Sequence, residues 1–582
     1  MSLERYRGSD FSHKLSVSRG DNPADVVING RIVNVITQEI YPASVAIVGN
    51  QIVGVSELSS HRYCGKEEHN LNDEELLIPG FIDAHIHIES SCLTPVEFGK
   101  LALHNGTTGV VCDPHEIANV LGEDGIKFMI DNSKLSDLNF YWMYPSCVPA
   151  TDLETSGAIL DYEQILDSEV SEECIGLAEV MNFPGVVSGN PDLHGKIDNW
   201  DWGNTQVDGH CPGLSGPKLN AYIFSGIKSD HECTTGLEMV EKLRKGMHIF
   251  IREGSVTKNM LDLIPHIPNG AKDRVSFCSD DRLPAEMVDY GHLNYTFFKA
   301  VNECGLPIPL VSRMMSYNTS KHFGLKSKGA IAPGFDADLV VIKAIESKIV
   351  GVWKSGKNVK DIEKSRRDDP NSIDTSILNT VHVSNNIDLK IKIPSSFESC
   401  NVIGVVPNQA ITEWIKENDP SKLTTKIAVI ERHGKNGNVG LGFVSGLGIE
   451  SGAIASTVAH DHHNIVVAGL DDHSMHLAVE ALVDMRGGLV AIRNDEVVGR
   501  LRLPIGGLMS SSQGSKVAVD YKRLLEATKP IFGKFPFDGT TDNPFMVLSF
   551  LSLAVIPHLK ITDMGLVDVN NAKMVPLWNH IV

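Results

Sequence analysis

The chain has 582 residues, a formal net charge of −21 and a hydrophobic content of 42%. This length is too great for a single domain, and about two to four domains are expected. A surface that binds nucleic acid needs clustered Lys and Arg, so the strong negative charge argues against a nucleic-acid partner. The ten cysteines include no CxxC pair, which argues against a disulfide framework and against a zinc ribbon.

The polar start of the chain and its short apolar runs bear on its location in the cell. Residues 1–14 contain no apolar stretch of the kind found in signal peptides. No apolar run reaches the roughly 18 residues that a membrane-spanning helix needs. We therefore expect a cytoplasmic protein without a membrane partner.

The apolar pattern changes along the chain in a way that predicts an α/β protein built from several units. Residues 1–20 are polar and are expected to form a loose arm. Short β-like runs separated by turn residues fill 21–76 and return in 326–360, so these two flanks are predicted to form one small β-sandwich domain. In 77–325, apolar runs alternate with helix-like stretches, which is the pattern of a (β/α)8 TIM-like barrel.

The last third of the chain predicts a linker and a further domain. Residues 361–384 are charged and polar, and we expect the linker there. Residues 385–582 mix strand-like runs with a helical stretch, which predicts a C-terminal α/β domain. This unit holds the dense run His460-Asp461-His462-His463-Asn464. We favour a polar loop for that run, over a second metal site or a segment that reaches over the barrel mouth.

Eight strands can be assigned in the barrel region, and a polar or acidic cluster follows each of them. The predicted strands are 77–84, 108–112, 139–144, 175–178, 205–208, 227–229, 248–252 and 275–278. The loops at the carboxyl ends of barrel strands carry the chemistry in this architecture. The clusters are therefore the first place to look for a site.

Six potential metal ligands lie in these clusters, namely His85, His87, Glu179, His210, His231 and Asp280. Alternate residues of a strand point to the same side, so His85 and His87 project together and can hold one divalent ion. Glu179 lies between apolar neighbours, and a buried carboxylate must be paired or bound to a cation. We predict that Glu179 bridges two metal ions. Asp280 can bind metal and take the proton of an activated water molecule, although a salt bridge with Arg282 would also explain it.

Four further residues are candidates for contact with a substrate. Glu89 lies two residues beyond His87 and is expected to reach the same pocket. Asp113 belongs to Asp113-Pro114-His115-Glu116, which fits a substrate contact and equally fits the start of a helix. Arg252 and Glu253 can hold the polar edges of a substrate, and an ion pair is the alternative for them.

The segments around these residues resemble known families. The stretch 79–87 (PGFIDAHIH) is similar to the opening of the amidohydrolase superfamily. More specific segments resemble the bacterial adenine deaminase family: 88–91 (IESS), 112–120 (CDPHEIANV), 145–150 (PSCVPA), 176–185 (GLAEVMNFPG), 208–214 (DGHCPGL), 229–233 (SDHEC), 251–255 (IREGS) and 278–282 (CSDDR). The last unit resembles that family as well, at 429–433 (VIERH), 452–456 (GAIAS), 459–461 (AHD) and 503–509 (LPIGGLM).

This resemblance implies an enzyme that hydrolyses adenine to hypoxanthine and ammonia at a site with two metal ions, Mn(II) or Fe(II), with Zn(II) as an alternative. It places the five ligands other than Glu179 on the family's ligand positions, and it gives Glu179 the bridging place. In the expected reaction a hydroxide shared by the metals attacks C6 of adenine and Asp280 moves its proton to the leaving amine. A ring nitrogen gains a proton from Glu89 or Asp113.

The partners expected from this resemblance are adenine, water and a second copy of the chain in a homodimer. Two other functions stay open at this point. One is an amidohydrolase that opens a cyclic amide, and the other is a barrel that has lost catalysis and serves as a scaffold. The presence of all six ligands argues against the scaffold.

Overall fold

The computed structural model describes residues 3–201, 205–255, 257–365, 375–384, 386–407, 409–533 and 543–581. The chain begins with helix α1 (Leu3–Ser18), which differs from the loose arm that the sequence predicts. Val17 near the end of α1 is buried against Ala24, Val27 and Tyr63. The Tyr63 hydroxyl donates a hydrogen bond of 2.9 Å to the carbonyl of Ser18. These contacts hold the end of the helix on the first sheet.

Five strands follow α1 and begin the small domain. They are β1 (Ala24–Asn34), β2 (Glu39–Val48), β3 (Gln51–Glu57), β4 (Gly65–Asn70) and β5 (Glu75–Pro79). Strand β1 is the centre of this sheet, because it pairs antiparallel with β2 and parallel with both β4 and β5.

The barrel is built from parallel strands whose last member is in two pieces. They are β6 (Phe81–His87), β7 (Thr107–Cys112), β8 (Asn139–Trp142), β9 (Gly176–Val180), β10 (Gln206–Gly209), β11 (Ser229–Asp230), β12 (His248–Arg252), β13 (Val275–Cys278) and β14 (Asp280–Asp281). Pairing runs through β14-β6-β7-β8, β9-β10 and β11-β12-β13. A parallel bridge between Tyr144 and Leu177 joins β8 to β9, and the Lys228 N–H donates to the Val207 carbonyl beside β11. The pairing therefore returns to its start at β6, and the predicted barrel is confirmed.

Helices lie between the barrel strands and after the last of them. They are α2 (Pro95–His104), α3 (His115–Leu121), α4 (Glu123–Ser133), α5 (Tyr162–Leu166), α6 (Phe183–Ser188), α7 (Pro191–Asp201), α8 (Gly216–Phe224), α9 (Gly236–Arg244), α10 (Met260–Leu263), α11 (Pro284–Asp289), α12 (Leu293–Asn302), α13 (Ile308–Met314) and α14 (Tyr317–His322). Their apolar sides pack on the strands in one large core.

The first predicted barrel strand, 77–84, is divided between two sheets in the structure. Strand β5 belongs to the small domain and β6 to the barrel, with Gly80 between them. A Cβ atom at Gly80 would lie 2.3 Å from Thr108 Oγ1, so only glycine lets the chain pass so close to β7. A division of the chain at Gly80 therefore fits the pairing better than one after residue 76.

The small domain is completed after the barrel by β15 (Leu339–Lys343), β16 (Lys348–Lys354) and β17 (Lys357–Asn358). Strand β15 pairs antiparallel with β5, which gives the order β17-β16-β15-β5-β1-β2-β3 with β4 beside β1. The two flanks of the barrel thus form one eight-stranded sheet. Its own apolar core includes Ile28, Val45, Leu77 and Leu339. Helix α15 (Val359–Ser365) follows.

The C-terminal domain is rich in sheet. Its strands are β18 (Phe397–Val405), β19 (Thr412–Glu417), β20 (Lys426–Ile430), β21 (Val439–Ser445), β22 (Ala453–Ser456), β23 (Ile465–Gly469), β24 (Gly488–Arg493), β25 (Glu496–Arg502), β26 (Leu559–Thr562), β27 (Gly565–Asp568), β28 (Lys573–Val575) and β29 (Trp578–Ile581). Its helices are α16 (Asp472–Met485), α17 (Gly514–Thr528) and α18 (Pro544–Phe550). Nine strands form the main sheet and β26–β28 form a smaller one.

The second half of the predicted linker, as far as the structure describes it, is bonded to the C-terminal domain. The Arg432 guanidinium donates a hydrogen bond of 2.9 Å to the Thr380 carbonyl. The His382 N–H donates to the Arg432 carbonyl at 2.8 Å. Residues 366–374 of the predicted linker lie outside the described residues.

The C-terminal domain lies against the mouth of the barrel. The Ser510 N–H donates to the Cys92 carbonyl at 2.9 Å, just beyond β6. On the other side of the mouth, the Thr155 N–H donates to Asp563 Oδ1 at 2.8 Å. The cavity above the barrel is therefore enclosed by both domains. In the described part of the chain, no helix has both the length and the apolar character needed to cross a membrane.

A buried lysine in this domain predicts an unusual pH dependence of stability. Lys560 of β26 is fully buried, and its ammonium donates to the carbonyls of Ala410 at 2.6 Å and Phe550 at 2.8 Å. Burial lowers the pKa of Lys560 from 10.5 to about 7. Between these two values the unfolded chain binds the proton more readily, so folding becomes less favourable as the pH falls from about 10 to 7.

We expect Lys560→Met to remove this pH dependence. Relative to the variant, the wild type should gain roughly 3 kcal/mol, or about 5–10 °C in melting temperature, between pH 7 and pH 9.5. Calorimetric melting of both proteins at the two pH values measures the difference. Lys529→Met, at a lysine whose side chain is 64% exposed, is the control and should follow the wild type. Parallel curves for Lys560→Met and the wild type would contradict the expectation.

Candidate metal centre and substrate cavity

Six side chains from five strands meet inside the carboxyl end of the barrel. His85 and His87 lie at the end of β6 and point to the same side because one residue separates them. Glu179 lies in β9, His210 and His231 follow β10 and β11, and Asp280 begins β14. Five of the six are buried, and the His210 side chain is 13% exposed. The structure thus brings together all six residues that the sequence predicts as ligands.

The carboxylate of Glu179 faces two different pairs of histidines. Its Oε1 atom lies 3.2 Å from His87 Nε2 and 3.7 Å from His85 Nε2. Its Oε2 atom lies 2.5 Å from His210 Nδ1 and 3.2 Å from His231 Nε2. One carboxylate between two pairs of imidazoles is the arrangement in which it can bridge two cations.

Asp280 lies at the same centre, where it has a strained backbone conformation and a hydrogen bond from the Arg252 guanidinium. Its φ of +57° lies in the left-handed region, which is uncommon for a residue other than glycine. Its Oδ1 atom lies 3.2 Å from His87 Nε2, and its Oδ2 atom accepts a hydrogen bond of 2.8 Å from Arg252. Burial alone would raise the pKa of Asp280, but the Arg252 guanidinium and the nearby histidines hold it well below its usual range.

The chemistry of this donor set fits divalent metal ions. The outer nitrogen of His87, Nδ1, donates to the Asp113 carbonyl at 3.1 Å, which leaves the lone pair of Nε2 free. That Nε2 atom lies 3.1 Å from His85 Nε2 and beside two carboxylates. Unprotonated imidazole nitrogens and carboxylates suit Mn, Fe and Zn, so the residues present fit two such ions.

Glu89 and Asp113, predicted as catalytic and substrate-binding, lie behind the metal centre. Neither is among the residues that line the cavity. Glu89 Oε1 accepts from the Ile117 N–H at 3.1 Å, and burial together with the nearby Glu116 raises the pKa of Glu89 to about 7. Asp113 accepts from the His115 N–H and lies 2.9 Å from His115 Nδ1. Both carboxylates accept hydrogen bonds from backbone N–H groups at the start of α3, and the catalytic and substrate-binding roles of the two acids stay predictions.

Arg252 and Glu253 line the cavity, but their charged groups are already paired. The Arg252 guanidinium forms an ion pair with Glu232 in addition to its bond with Asp280. Glu253 Oε1 accepts from Lys299 at 2.5 Å. Both residues thus form the ion pairs of the alternative, and their contact with a substrate stays a prediction.

The sequence reasoning missed His115 as a site residue. Its Nδ1 atom lies 3.6 Å from Glu179 Oε1, and its Nε2 atom lies 3.6 Å from Glu116 Oε1. One imidazole ring therefore separates the Glu179 carboxylate from Glu116, and both His115 and Glu116 line the cavity. The sequence signal for His115 is the ionisable cluster 113–116, in which only Asp113 is predicted as a site residue.

The run 460–464 of the C-terminal domain also belongs to the site. We expected a polar loop there, and the structure instead buries all five residues over the barrel mouth. His460 Nδ1 lies 2.5 Å from Glu116 Oε1, and His463 Nε2 contacts Glu116 Oε2. The prediction of a polar surface loop is therefore wrong, since the partner of these histidines is an acid more than 340 residues earlier in the chain.

The cavity above the metal centre has a volume of about 2020 Å³. All the candidate ligands except His85 line it, together with Asp281, His115 and Glu116. The C-terminal domain contributes His460, Asp461 and Phe550. Residues of the barrel and of the C-terminal domain therefore line one common space.

Two family models match the chain. Residues 76–361 match the amidohydrolase family, and residues 406–573 match the adenine deaminase C-terminal domain. The first match contains the barrel and all six ligands, and the second contains the histidine run above the cavity.

Relatives match over almost the whole length. The adenine deaminase of Desulfatibacillum aliphaticivorans is 41% identical over 581 residues, which cover 97% of this chain and 99% of the relative. Adenine deaminase 2 of Carboxydothermus hydrogenoformans is 40% identical, with 97% and 98% covered. A crystal structure of an adenine deaminase matches with 16% identity and a TM-score of 0.43, over 58% of this chain and 99% of the other. The chain belongs to the amidohydrolase family and, within it, to the adenine deaminases.

Proposed function

We propose that the protein hydrolyses adenine to hypoxanthine and ammonia. The observation that carries this proposal is the Glu179 carboxylate, whose two oxygens face two pairs of histidines in a chain of the adenine deaminase family. Asp280 beside that carboxylate supplies the proton acceptor that a deamination needs.

Two divalent cations held by His85, His87, Glu179, His210, His231 and Asp280 would supply an activated water molecule as the nucleophile. The surrounding residues then transfer the protons. Asp280 accepts a proton from the attacking water and passes it to the departing amine. Arg252 keeps the Asp280 carboxylate in place, because its guanidinium is bonded to Oδ2 while Oδ1 faces the centre.

A ring nitrogen of adenine must gain a proton when C6 becomes tetrahedral. Glu89 and Asp113 do not line the cavity, whereas Asp281 and Glu116 do. Burial and the neighbouring Asp280 raise the pKa of Asp281, so this carboxyl group retains its proton at higher pH than a free aspartate. The Glu116 carboxylate accepts a hydrogen bond from His463, which leaves Asp281 as the acid proposed for this step.

The direct test is an ultraviolet assay of adenine conversion by protein from cells grown with manganese or with iron. We expect hypoxanthine and one equivalent of ammonia to appear together, and about two metal ions per chain. Absence of turnover in both preparations, with metals bound, would contradict the substrate assignment. Opening of a dihydropyrimidine or hydantoin ring in the same preparations would favour the alternative amidohydrolase.

The family and the donor set support a divalent metal, and we propose Mn(II) or Fe(II), with Zn(II) as the alternative. We also propose a cytoplasmic homodimer. Metal analysis of the purified protein identifies the ion, and sedimentation equilibrium determines the oligomeric state.

A further inference from the structure

His460 is presented to the barrel cavity by the C-terminal domain. It lies in the buried run between β22 and β23, and its ring stacks on Phe550 with centroids 5.3 Å apart and planes at 18°. Both residues line the cavity. The stacking fixes the plane of the imidazole, and the bond of 2.5 Å from Nδ1 to Glu116 fixes its rotation.

The proton positions around Glu116 follow from one backbone contact. The Ala459 N–H donates to His463 Nδ1 at 3.1 Å, so that nitrogen carries no proton. The neutral His463 ring then holds its proton on Nε2 and donates it to Glu116 Oε2. Glu116 Oε2 therefore accepts a hydrogen bond from His463. The negative charge of the Glu116 carboxylate also favours a proton on His460 Nδ1, which then donates to Glu116 Oε1.

This argument excludes a third metal at Glu116, His460 and His463, although their donor atoms lie within 4.8 Å of one another. A nitrogen that ligates a metal must offer a lone pair. His463 Nε2 carries the proton of the ring, so it is a donor to Glu116. Glu116 and His463 instead hold His460 in one orientation.

The remaining nitrogen of His460 has no partner. Its Nε2 atom is buried and, among the described residues, makes no hydrogen bond, while the residue as a whole is 4% exposed. A buried polar atom without a partner is costly, and such an atom on a cavity wall indicates a ligand.

We propose that His460 Nε2 forms a hydrogen bond with a ring nitrogen of the bound purine, so that the C-terminal domain completes the substrate site. Glu116 and His463 are positioning residues for this contact. The inference rests on the proposed deamination of adenine. Only His115 separates Glu116 from the Glu179 bridge, so a planar base whose C6 is at the metals can extend to His460.

Two substitutions distinguish a contact through Nε2 from a structural role of Nδ1. The amide of His460→Asn reaches the place of Nδ1 and can keep the bond to Glu116, but it leaves nothing at Nε2. The amide of His460→Gln reaches the place of Nε2 instead. We expect His460→Asn to raise the KM for adenine and the Kd for hypoxanthine by about tenfold, and His460→Gln by about threefold or less.

A larger loss in His460→Gln than in His460→Asn, or equal losses in both, would overturn the proposal. Metal content and melting temperature are measured for each variant, because a structural role predicts that these change first. A wild type that binds hypoxanthine but fails to convert adenine contradicts the proposed function. A wild type that converts adenine, with the wrong order of the two variants, contradicts only the inference about His460.

Discussion

Glu179→Gln is expected to lower kcat/KM for adenine by about a thousandfold or more and to reduce the metal content from two ions per chain towards one. The amide keeps the shape of the side chain but loses the negative charge and one of the two oxygens. In the native protein one oxygen faces His87 and the other faces His210. The amide of glutamine has one acceptor oxygen and can face only one of these two histidines as an acceptor. A second ion would therefore lose the shared ligand that we propose for it.

Steady-state kinetics and metal analysis on the same preparation measure this effect. The control is Glu172→Gln, the same change at an exposed acid outside the cavity, which should leave both quantities unchanged. A Glu179→Gln protein with two metals per chain and full turnover would show that the carboxylate does not bridge.

Asp280→Asn is expected to separate proton transfer from metal binding. The amide oxygen can still face the centre, but the side chain no longer accepts a proton. We expect kcat to fall about 10²–10⁴-fold, the usual contribution of a general base, with a smaller change in KM. The metal content should stay closer to two than in Glu179→Gln.

The pH dependence of kcat/KM provides a second measurement on this variant. As the proposed proton acceptor, Asp280 would have to be ionised in the wild type. Burial alone would raise the pKa of Asp280, but Arg252 keeps that pKa low. Activity should therefore persist into mildly acidic solution and fall only when this acid is protonated. In Asp280→Asn, kcat/KM should show no decrease at low pH that is caused by protonation of this residue. Retention of the wild-type kcat in Asp280→Asn would remove the residue from the reaction.

The barrel and its ligands could be predicted because their signal is local and repeated. Parallel strands bring their carboxyl ends to one face, so His85, Glu179 and Asp280 had to converge once each was placed at a strand end. The confirmed barrel follows from apolar runs that alternate with helix-like stretches, and the small sheet follows from short β-like runs on both flanks of the barrel. The roles of the ligands in catalysis stay predictions.

Other parts of the site depend on contacts that no local pattern contains. Glu89 and Glu116 are both acids near a strand end, and only the packing of α3 decides which one faces the cavity. His460 approaches Glu116 across 344 residues of sequence, so its burial could not be inferred from the run around it. The split of 77–84 at Gly80 similarly depends on the approach of Thr108.

The contact of Ser510 with Cys92 has a consequence for how the protein is made. During synthesis the barrel residues, including all six ligands between His85 and Asp280, emerge before the residues that cover them. Domains generally fold in the order in which they leave the ribosome. A cation can therefore reach the ligands from open solvent while the barrel is newly formed, and the C-terminal domain encloses the centre afterwards.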